Sequence, residues 1–160
     1  IHVEISGMIF FQATQGPVTL TARADRLEYD KDGQWTIVDY KTGTVPSGGL
    51  IKKGVRNQLA VEGLIALDGG FESLPAGAVR SLEYWQLSGK KSAPGEIKLP
   101  FADLFDADEV RDRLERLANH FDQTDTPYAS ELDPINVPPF KPYQHLSRSR
   151  EWLYGDNADE

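Results

Sequence analysis

Over its first forty residues the chain alternates apolar and polar positions with a period near two, the spacing of half-buried strands. Strands are expected at about 2–12, 18–29 and 35–41. The turn Thr14-Gln15-Gly16-Pro17 separates the first two, and Asp30-Lys31-Asp32-Gly33 separates the last two. Each turn carries Gly, and the second has the Asp-Gly pair typical of hairpins, so the three strands form a meander. A loop follows from Thr42 to Gly49. The period then lengthens: Val55, Leu59, Leu64 and Ile65 fit a helical stripe from about Val55 to Leu67, and Gly69-Gly70 supplies a left-handed stop. A fourth strand is expected at 79–88, where Val79 to Leu87 alternates and is rich in aromatic residues. A second helix is expected at 107–122, opened by a capping box of Asp106 and Glu109, with Val110, Leu114, Leu117 and Phe121 as its apolar face. After Thr126 the chain becomes Pro-rich (Pro127, Pro134, Pro138, Pro139, Pro142), which suggests an extended tail closed by a short helix around 143–154.

This order of elements predicts an α/β (α+β) domain. Its mixed sheet would consist of the three-stranded meander plus a strand returning parallel beside the third, flanked by helices. At 160 residues and 39% hydrophobic, the chain can bury one core. Residues 1–126 are expected to form that core and 127–160 a C-terminal extension packed on it. The chain opens directly on a strand without an initiator Met, which suggests an N-terminally truncated piece of a larger protein. No apolar run approaches the roughly 18 to 20 residues that span a bilayer, so no membrane contact is expected. The absence of Cys excludes disulfides, thiolate zinc sites and cysteine-ligated iron–sulfur clusters, and it fits a cytoplasmic address. A net charge of −8 argues against nucleic-acid binding by bulk electrostatics, unless the acids gather in a metal site and at the chain end or attached domains supply the basic track.

The candidate chemistry lies on the second hairpin. Counting outward from a five-residue loop centred on Asp32 pairs Tyr29 with Trp35, Leu27 with Ile37 and Asp25 with Asp39, all on one face. Alternation adds Lys41 to that face and turns Val38 and Tyr40 away. Two facing carboxylates, Cβ atoms roughly 5 Å apart, destabilise a sheet unless positive charge lies between them. A divalent cation would serve, held by Asp25 and Asp39 with the Tyr40 backbone carbonyl as a third ligand. Lys41 would then orient a water or stabilise developing negative charge during hydrolysis of a phosphodiester.

An acid-x-Lys triplet occurs by chance about once in a chain of this size. A second one, Glu96-Ile97-Lys98, follows Ser92-Ala93-Pro94-Gly95 and precedes Pro100, which reads as a short solvated edge. For Asp39 and Lys41 the bland alternative is an exposed salt-bridged pair. Trp35, Ile37, Val38 and Tyr40 favour a largely buried strand, where an unpaired charge is expensive.

Taken together, Leu20-Thr21-Ala22-Arg23-Ala24-Asp25-Arg26-Leu27, Ile37-Val38-Asp39-Tyr40-Lys41-Thr42-Gly43 and Gln58-Leu59-Ala60-Val61-Glu62 resemble the PD-(D/E)XK nuclease superfamily. Within it the chain looks like the RecB-like group, most closely the C-terminal nuclease domain of AddB-type helicase-nuclease subunits. Leu82 to Gly89 and Tyr143 to Arg148 carry the same likeness. The resemblance implies a restriction-endonuclease-like core and a Mg²⁺-dependent exonuclease (Mn²⁺ as substitute) in double-strand break repair and recombination. Its partners would be DNA, helicase domains of the parent chain and a second, AddA-type subunit. It implies Asp25 and Asp39 as metal ligands, Lys41 as the catalytic lysine, and Gln58 as a helix residue positioning DNA or the lysine. The family carries Tyr four residues after that Gln, where this chain has Glu62, which would face the same way. Relatives also bring an upstream acid or His from a helix that this chain begins too late to contain, which implies that the isolated fragment binds metal poorly or is inactive, and some carry a four-cysteine iron–sulfur staple that it cannot form.

Lys52, Lys53 and Arg56 either meet DNA phosphates or form a solvated helix start. His2, His120 and His145 lack metal-ligand spacing, and His120 fits a helix C-terminus. Trp35, Tyr84 and Trp85 read as core. Two functions compete: a metal-dependent nuclease, and a catalytically inactive nuclease-like scaffold that holds DNA or a partner subunit.

Overall fold

A computed structural model describes residues 1–54, 56–88, 95–100, 103 and 105–127, with residues 88 and 95–100 described by their backbone alone. Val55, the tail beyond residue 127, the helix expected around 143–154 and the Tyr143–Arg148 segment lie outside the described residues. The chain divides into two units, Ile1–Asp122 and Gln123–Glu160. Every element below belongs to the first. Of the second, residues 123–127 are described and include a turn in which the Thr126 N–H bonds the Gln123 carbonyl at 3.1 Å.

Five strands form one sheet in sequence order: β1 (His2–Ala13), β2 (Gly16–Tyr29), β3 (Gln34–Lys41), β4 (Ala78–Ser88) and β5 (Gly95–Pro100). β1, β2 and β3 pair antiparallel as a meander, β4 returns parallel beside β3, and β5 pairs antiparallel with β4 at the edge. The fold is therefore a mixed α+β domain of the restriction-endonuclease-like kind, with one more strand than the hydrophobic pattern indicated. That strand holds the Glu96-Ile97-Lys98 triplet. β5 is only six residues long and lies just beyond Ser92-Ala93-Pro94-Gly95, so its alternation is too brief to stand out.

The turn between β2 and β3 sets the register on which the site depends. Gly33 takes φ +78, a left-handed conformation that costs a glycine little. The Asp30 side chain accepts the N–H groups of Asp32 at 2.9 Å and Gln34 at 3.0 Å. The Gln34 bond, then the bond from Arg80, and last the Asp32 bond hold its carboxyl below the usual value. The result is the expected pairing of Tyr29 with Trp35 and Leu27 with Ile37.

Two helices connect β3 to β4 where one was expected. α1 (Gly48–Lys52) is capped by Ser47, begins in the last two residues of the expected loop and runs past its end; five residues with two glycines carry too little periodicity to be read. α2 (Gln58–Asp68) begins at Gln58, three residues later than expected, and ends at Gly69 with φ 69, the expected left-handed stop. α3 (Ala107–Phe121) is capped by Asp106, whose carboxylate accepts the Glu109 N–H at 3.0 Å. The reciprocal half of the capping box is replaced, because Glu109 pairs with Arg113 one turn on. Of the apolar face expected on α3, Val110 is buried and Leu114 packs partly against the core, whereas Leu117 is 52% exposed.

The core forms where Leu27, Trp35, Ile37, Leu82 and Tyr84 of the sheet meet Leu59, Leu64 and Ile65 of α2 and Val110 of α3. Close approach at Gly7 helps to seat α2. A Cβ there would lie 2.5 Å from the Phe71 ring and 2.6 Å from Ile65, so only glycine lets the end of the crossover pack on β1.

Candidate functional site

Asp25 sits where the ladders on both sides of β2 are interrupted. Pairing with β3 ends at Arg26↔Val38. On the other side, Val3↔Arg26 and Ile5↔Ala24 pair, while Glu4 between them takes φ 55. The aligned register brings Asp25 to the level of Asp39 as expected, but the two do not close a further rung. The Asp25 Oδ2 accepts the Tyr40 N–H at 3.0 Å instead, standing in for a backbone carbonyl. In a strand the N–H and C=O of one residue point to the same neighbour, so the Tyr40 carbonyl also points toward the Asp25 side.

Asp39 lies on an interior strand and is 1% exposed. The Lys41 ammonium donates to its Oδ1 at 2.9 Å and lies 2.7 Å from Oδ2, which accepts no aligned hydrogen bond. Lys41 reaches on to α2, donating to the Gln58 Oε1 at 3.3 Å. The Gln58 amide donates in turn to the Glu62 Oε1 at 3.3 Å. Glu62 is 1% exposed, and its Oε2 has no hydrogen-bond partner. Asp25, Asp39, Lys41, Gln58 and Glu62 thus converge from β2, β3 and α2. Carboxylate repulsion is relieved by the Tyr40 amide on Asp25 and the Lys41 ammonium on Asp39.

The relief is incomplete. Burial pushes the Asp39 carboxyl above its ordinary value, against the pull of the Lys41 hydrogen bond and charge. Burial pushes Glu62 up to about 8, with the Gln58 bond opposing and the charges of Asp39 and Asp25 adding to the rise. These oxygens are hard donors, and the buried Asp39 Oδ2, which faces the Lys41 ammonium without an aligned hydrogen bond, is the kind of atom a hard divalent cation takes up. Among the described residues no three Asp, Glu, His or Cys side chains, Asp25, Asp39 and Glu62 included, are placed so that all three could hold one metal ion. The protein's side-chain share of a metal shell would be the two aspartates, a number common for octahedral oxygen-ligated cations.

Tyr84 was not expected at the site. It pairs with Asp39 across β3 and β4, and the Lys41 ammonium lies 5.6 Å from its ring centre. Burial, then the charges of Asp39 and Glu62, push its hydroxyl up to about 12. Gln86, also unforeseen, donates to the Gly43 carbonyl at 2.8 Å and so ties down the loop after Lys41. Helical and strand periodicity placed both residues on β4; only the parallel register with β3 shows that they flank the lysine.

Lys52, Lys53 and Arg56 are exposed, and no described contact joins them to the acid–lysine group. The Lys52 carbonyl accepts from Arg113 at 3.4 Å, and Arg56 lines a small recess with Tyr84 and Phe105. Trp35, Tyr84 and Trp85 are buried. His2 packs edge-on against Trp35, His120 lies in the last turn of α3 beside Phe121, and His145 is outside the described residues.

A family model described as the PD-(D/E)XK nuclease superfamily matches residues 1–143. Uncharacterised proteins of Rickettsia bellii (strain RML369-C) and Rickettsia typhi (strain ATCC VR-144 / Wilmington) are each 38% identical over 71 residues, 44% of this chain. An uncharacterised protein of Rickettsia conorii (strain ATCC VR-613 / Malish 7) is 37% identical over the same length. The matched region spans 8% of each of these relatives. Among solved structures, SSO0001 is similar at a TM-score of 0.46 and 11% identity, covering 86% of this chain and 62% of that one.

Proposed function

This chain belongs to the PD-(D/E)XK nuclease superfamily, and from that premise we propose that it is the metal-dependent DNA nuclease domain of a helicase-nuclease acting in double-strand break repair and recombination. The observation that carries the proposal is the convergence of Asp25, Asp39 and Lys41 on one patch of sheet, with Gln58 behind the lysine. The finer placement, among RecB-like domains of AddB type with exonuclease activity, rests on the sequence likeness around those residues. Relatives far longer than this chain fit a module in a larger protein, where helicase domains and an AddA-type subunit would feed DNA to the site. The reading includes a cytoplasmic address, and no helix among the described residues is long and apolar enough to cross a membrane.

Superfamily members generally use divalent metal ions, and we assign Mg²⁺, with Mn²⁺ as substitute, to Asp25, Asp39 and the Tyr40 carbonyl. When bound, the ion supplies Lewis acidity, making water more acidic and offsetting charge on the phosphodiester as it is attacked. The residues of the chain do the rest. Asp39 holds the Lys41 ammonium in place, and Lys41 presents that charge to the non-bridging oxygens or to the attacking water. The Tyr40 N–H fixes the Asp25 carboxylate so that it need not reorganise during the reaction. Lys52, Lys53 and Arg56 are the nearest exposed cations in sequence, and we assign them to backbone phosphates. A domain of net charge −8 needs such local contacts, because its bulk field repels DNA.

Calorimetric titration of the chain with Mg²⁺ and Mn²⁺, wild type against Asp39→Ala, run beside cleavage of linear DNA, tests the proposal. Saturable binding and cleavage, both lost in the variant, are expected. DNA binding without cleavage under saturating metal would transfer the assignment to an inactive scaffold.

A further inference from the structure

A carboxyl group at 1% exposure is an expensive choice on a helix face where Leu or Met would pack at no electrostatic cost. Glu62 makes one described hydrogen bond, and that bond leads to the catalytic cluster. The Gln58 side-chain amide sits between two groups of different kind. Lysine can only donate, so the amide oxygen must face Lys41 and the NH₂ must face an acceptor. Glu62 Oε1, one helical turn further on the same face of α2, is that acceptor. Gln58 is the first residue of α2 and is exposed, so left alone its side chain would sample several rotamers. Glu62 is deep in the fold, enclosed on all sides.

We propose that Glu62 is a positioning residue: its buried carboxyl anchors the Gln58 amide, which holds the Lys41 ammonium between Asp39 and the substrate. The inference rests on the assignment of Lys41 to phosphodiester hydrolysis and adds a second support for that lysine, from the helix as well as from the strand. The groups facing Glu62 from neighbouring elements are Asp25 on β2, Asp39 and Lys41 on β3, and Tyr84 on β4. Two of the four are carboxylates and Tyr84 is a neutral phenol, so the single Lys41 ammonium is already matched by Asp39 and Glu62 acts best here as a neutral acceptor that orients an amide, not as a further charge. Glu62→Gln keeps the shape and an acceptor oxygen. Glu62→Leu and Glu62→Met keep the bulk and remove the acceptor, and Met adapts to the space if Leu does not.

The test uses the full 160-residue chain with ¹³C-labelled lysine, reading the order of the Lys41 ε-methylene by relaxation without metal or DNA. Cleavage kinetics are read in parallel. Glu62→Gln should leave Lys41 ordered. Glu62→Leu, Glu62→Met and Gln58→Leu should each release it and lower kcat by about tenfold while KM for DNA holds. The Glu62→Leu/Gln58→Leu double variant should be no worse than either single change, because both break one relay. Lys41 order unchanged in the apolar variants, or losses that multiply in the double variant, would overturn the proposal. A full-length parent protein that neither binds the metal nor cleaves DNA would end the nuclease assignment, and the Lys41 order series, which needs neither metal nor cleavage, still decides whether Glu62 positions the lysine.

Discussion

The two faces of β2, β3 and β4 carry charged residues in similar number and treat them in opposite ways. On the face away from the helices, Arg26 pairs with Glu28, donates toward the Tyr40 hydroxyl and lies 5.1 Å from the centre of the Trp85 ring. Trp85 donates its indole N–H to Glu83 at 2.7 Å and meets the Tyr40 ring edge-on. Every charge there has a partner of opposite kind or a ring. On the helix-covered face, Asp25, Asp39 and Glu62 are set around one ammonium that pairs with Asp39 alone, and two buried oxygens, Asp39 Oδ2 and Glu62 Oε2, accept no aligned hydrogen bond although Lys41 lies 2.7 Å from the former. The same strands and the same period of two thus produce one face settled for stability and one held away from its own optimum. A site that must take up a cation and a phosphate is expected on the second kind.

Removing Asp39 breaks this contrast most completely. Asp39→Ala should abolish measurable cation binding and lower cleavage on the order of 10⁴-fold. Glu83→Gln on the other face should leave both within about twofold, since it keeps an acceptor for Trp85. Titration calorimetry and single-turnover cleavage read the two variants side by side. Comparable losses would mean that the faces are not functionally distinct. Lys41→Ala comes next, with a fall in kcat of about 10² to 10³ and a smaller change in cation affinity, because the role proposed for the lysine is on the phosphate or the attacking water and not on the ion.

Glu62→Gln sharpens the comparison through stability. The unfolded carboxyl titrates near 4.5 and the folded one near 8, so between those values the folded chain holds a proton that the unfolded chain has released. Wild-type stability should therefore fall as pH rises from about 5 to about 8, where the glutamine variant has no such slope. At about 1.4 kcal/mol per pH unit, the variant should gain a few kcal/mol over wild type by pH 8 and little at pH 5. Urea unfolding at the two pH values checks it. A wild-type curve parallel to the variant's would show that Glu62 is not held protonated by the fold.

Much of this contrast was legible in the amino-acid sequence, and the reasons are local. The Asp-Gly turn and simple counting place Tyr29 on Trp35 and Leu27 on Ile37, so Asp25, Asp39 and Lys41 fall on one face by alternation alone. Gly69 ends α2 for a reason that needs no tertiary context. The edge position expected for Glu96-Ile97-Lys98 agrees with β5 pairing only with β4. What could not be read depends on contacts distant in sequence. Glu62 followed a family position where Tyr is usual, and nothing nearby says that it is buried against β2 and β3 rather than solvated. Tyr84 and Gln86 approach the lysine through a parallel pairing formed only after two helices are traversed. Asp25 bonds the Tyr40 amide where its ladder with β3 ends, and Glu4 beside it leaves the regular strand conformation, details with no signature in residue type. Leu117 fits the apolar stripe of α3 by spacing, yet α3 commits only its Val110 edge fully to the core.

The smallest expected effect tests the settled face directly. Arg26 is flanked in sequence by Asp25 and in space by Glu28, Tyr40 and Trp85, and its side chain is about a quarter exposed. A pair of this exposure contributes about 1 kcal/mol or less, and the cation–π contact adds about 0.5 to 1 kcal/mol. Arg26→Met should therefore cost about 1 to 2 kcal/mol in urea unfolding and nothing in cation affinity, because the Asp25 carboxylate is fixed by the Tyr40 amide on the opposite face. A double-mutant cycle of Arg26→Met with Trp85→Phe isolates the ring contact, with an expected coupling of about 0.5 kcal/mol. If Arg26→Met instead weakened cation binding as strongly as it lowers stability, the two faces would be coupled through the backbone of β2, and the division between a structural and a functional side of the sheet would have to be abandoned.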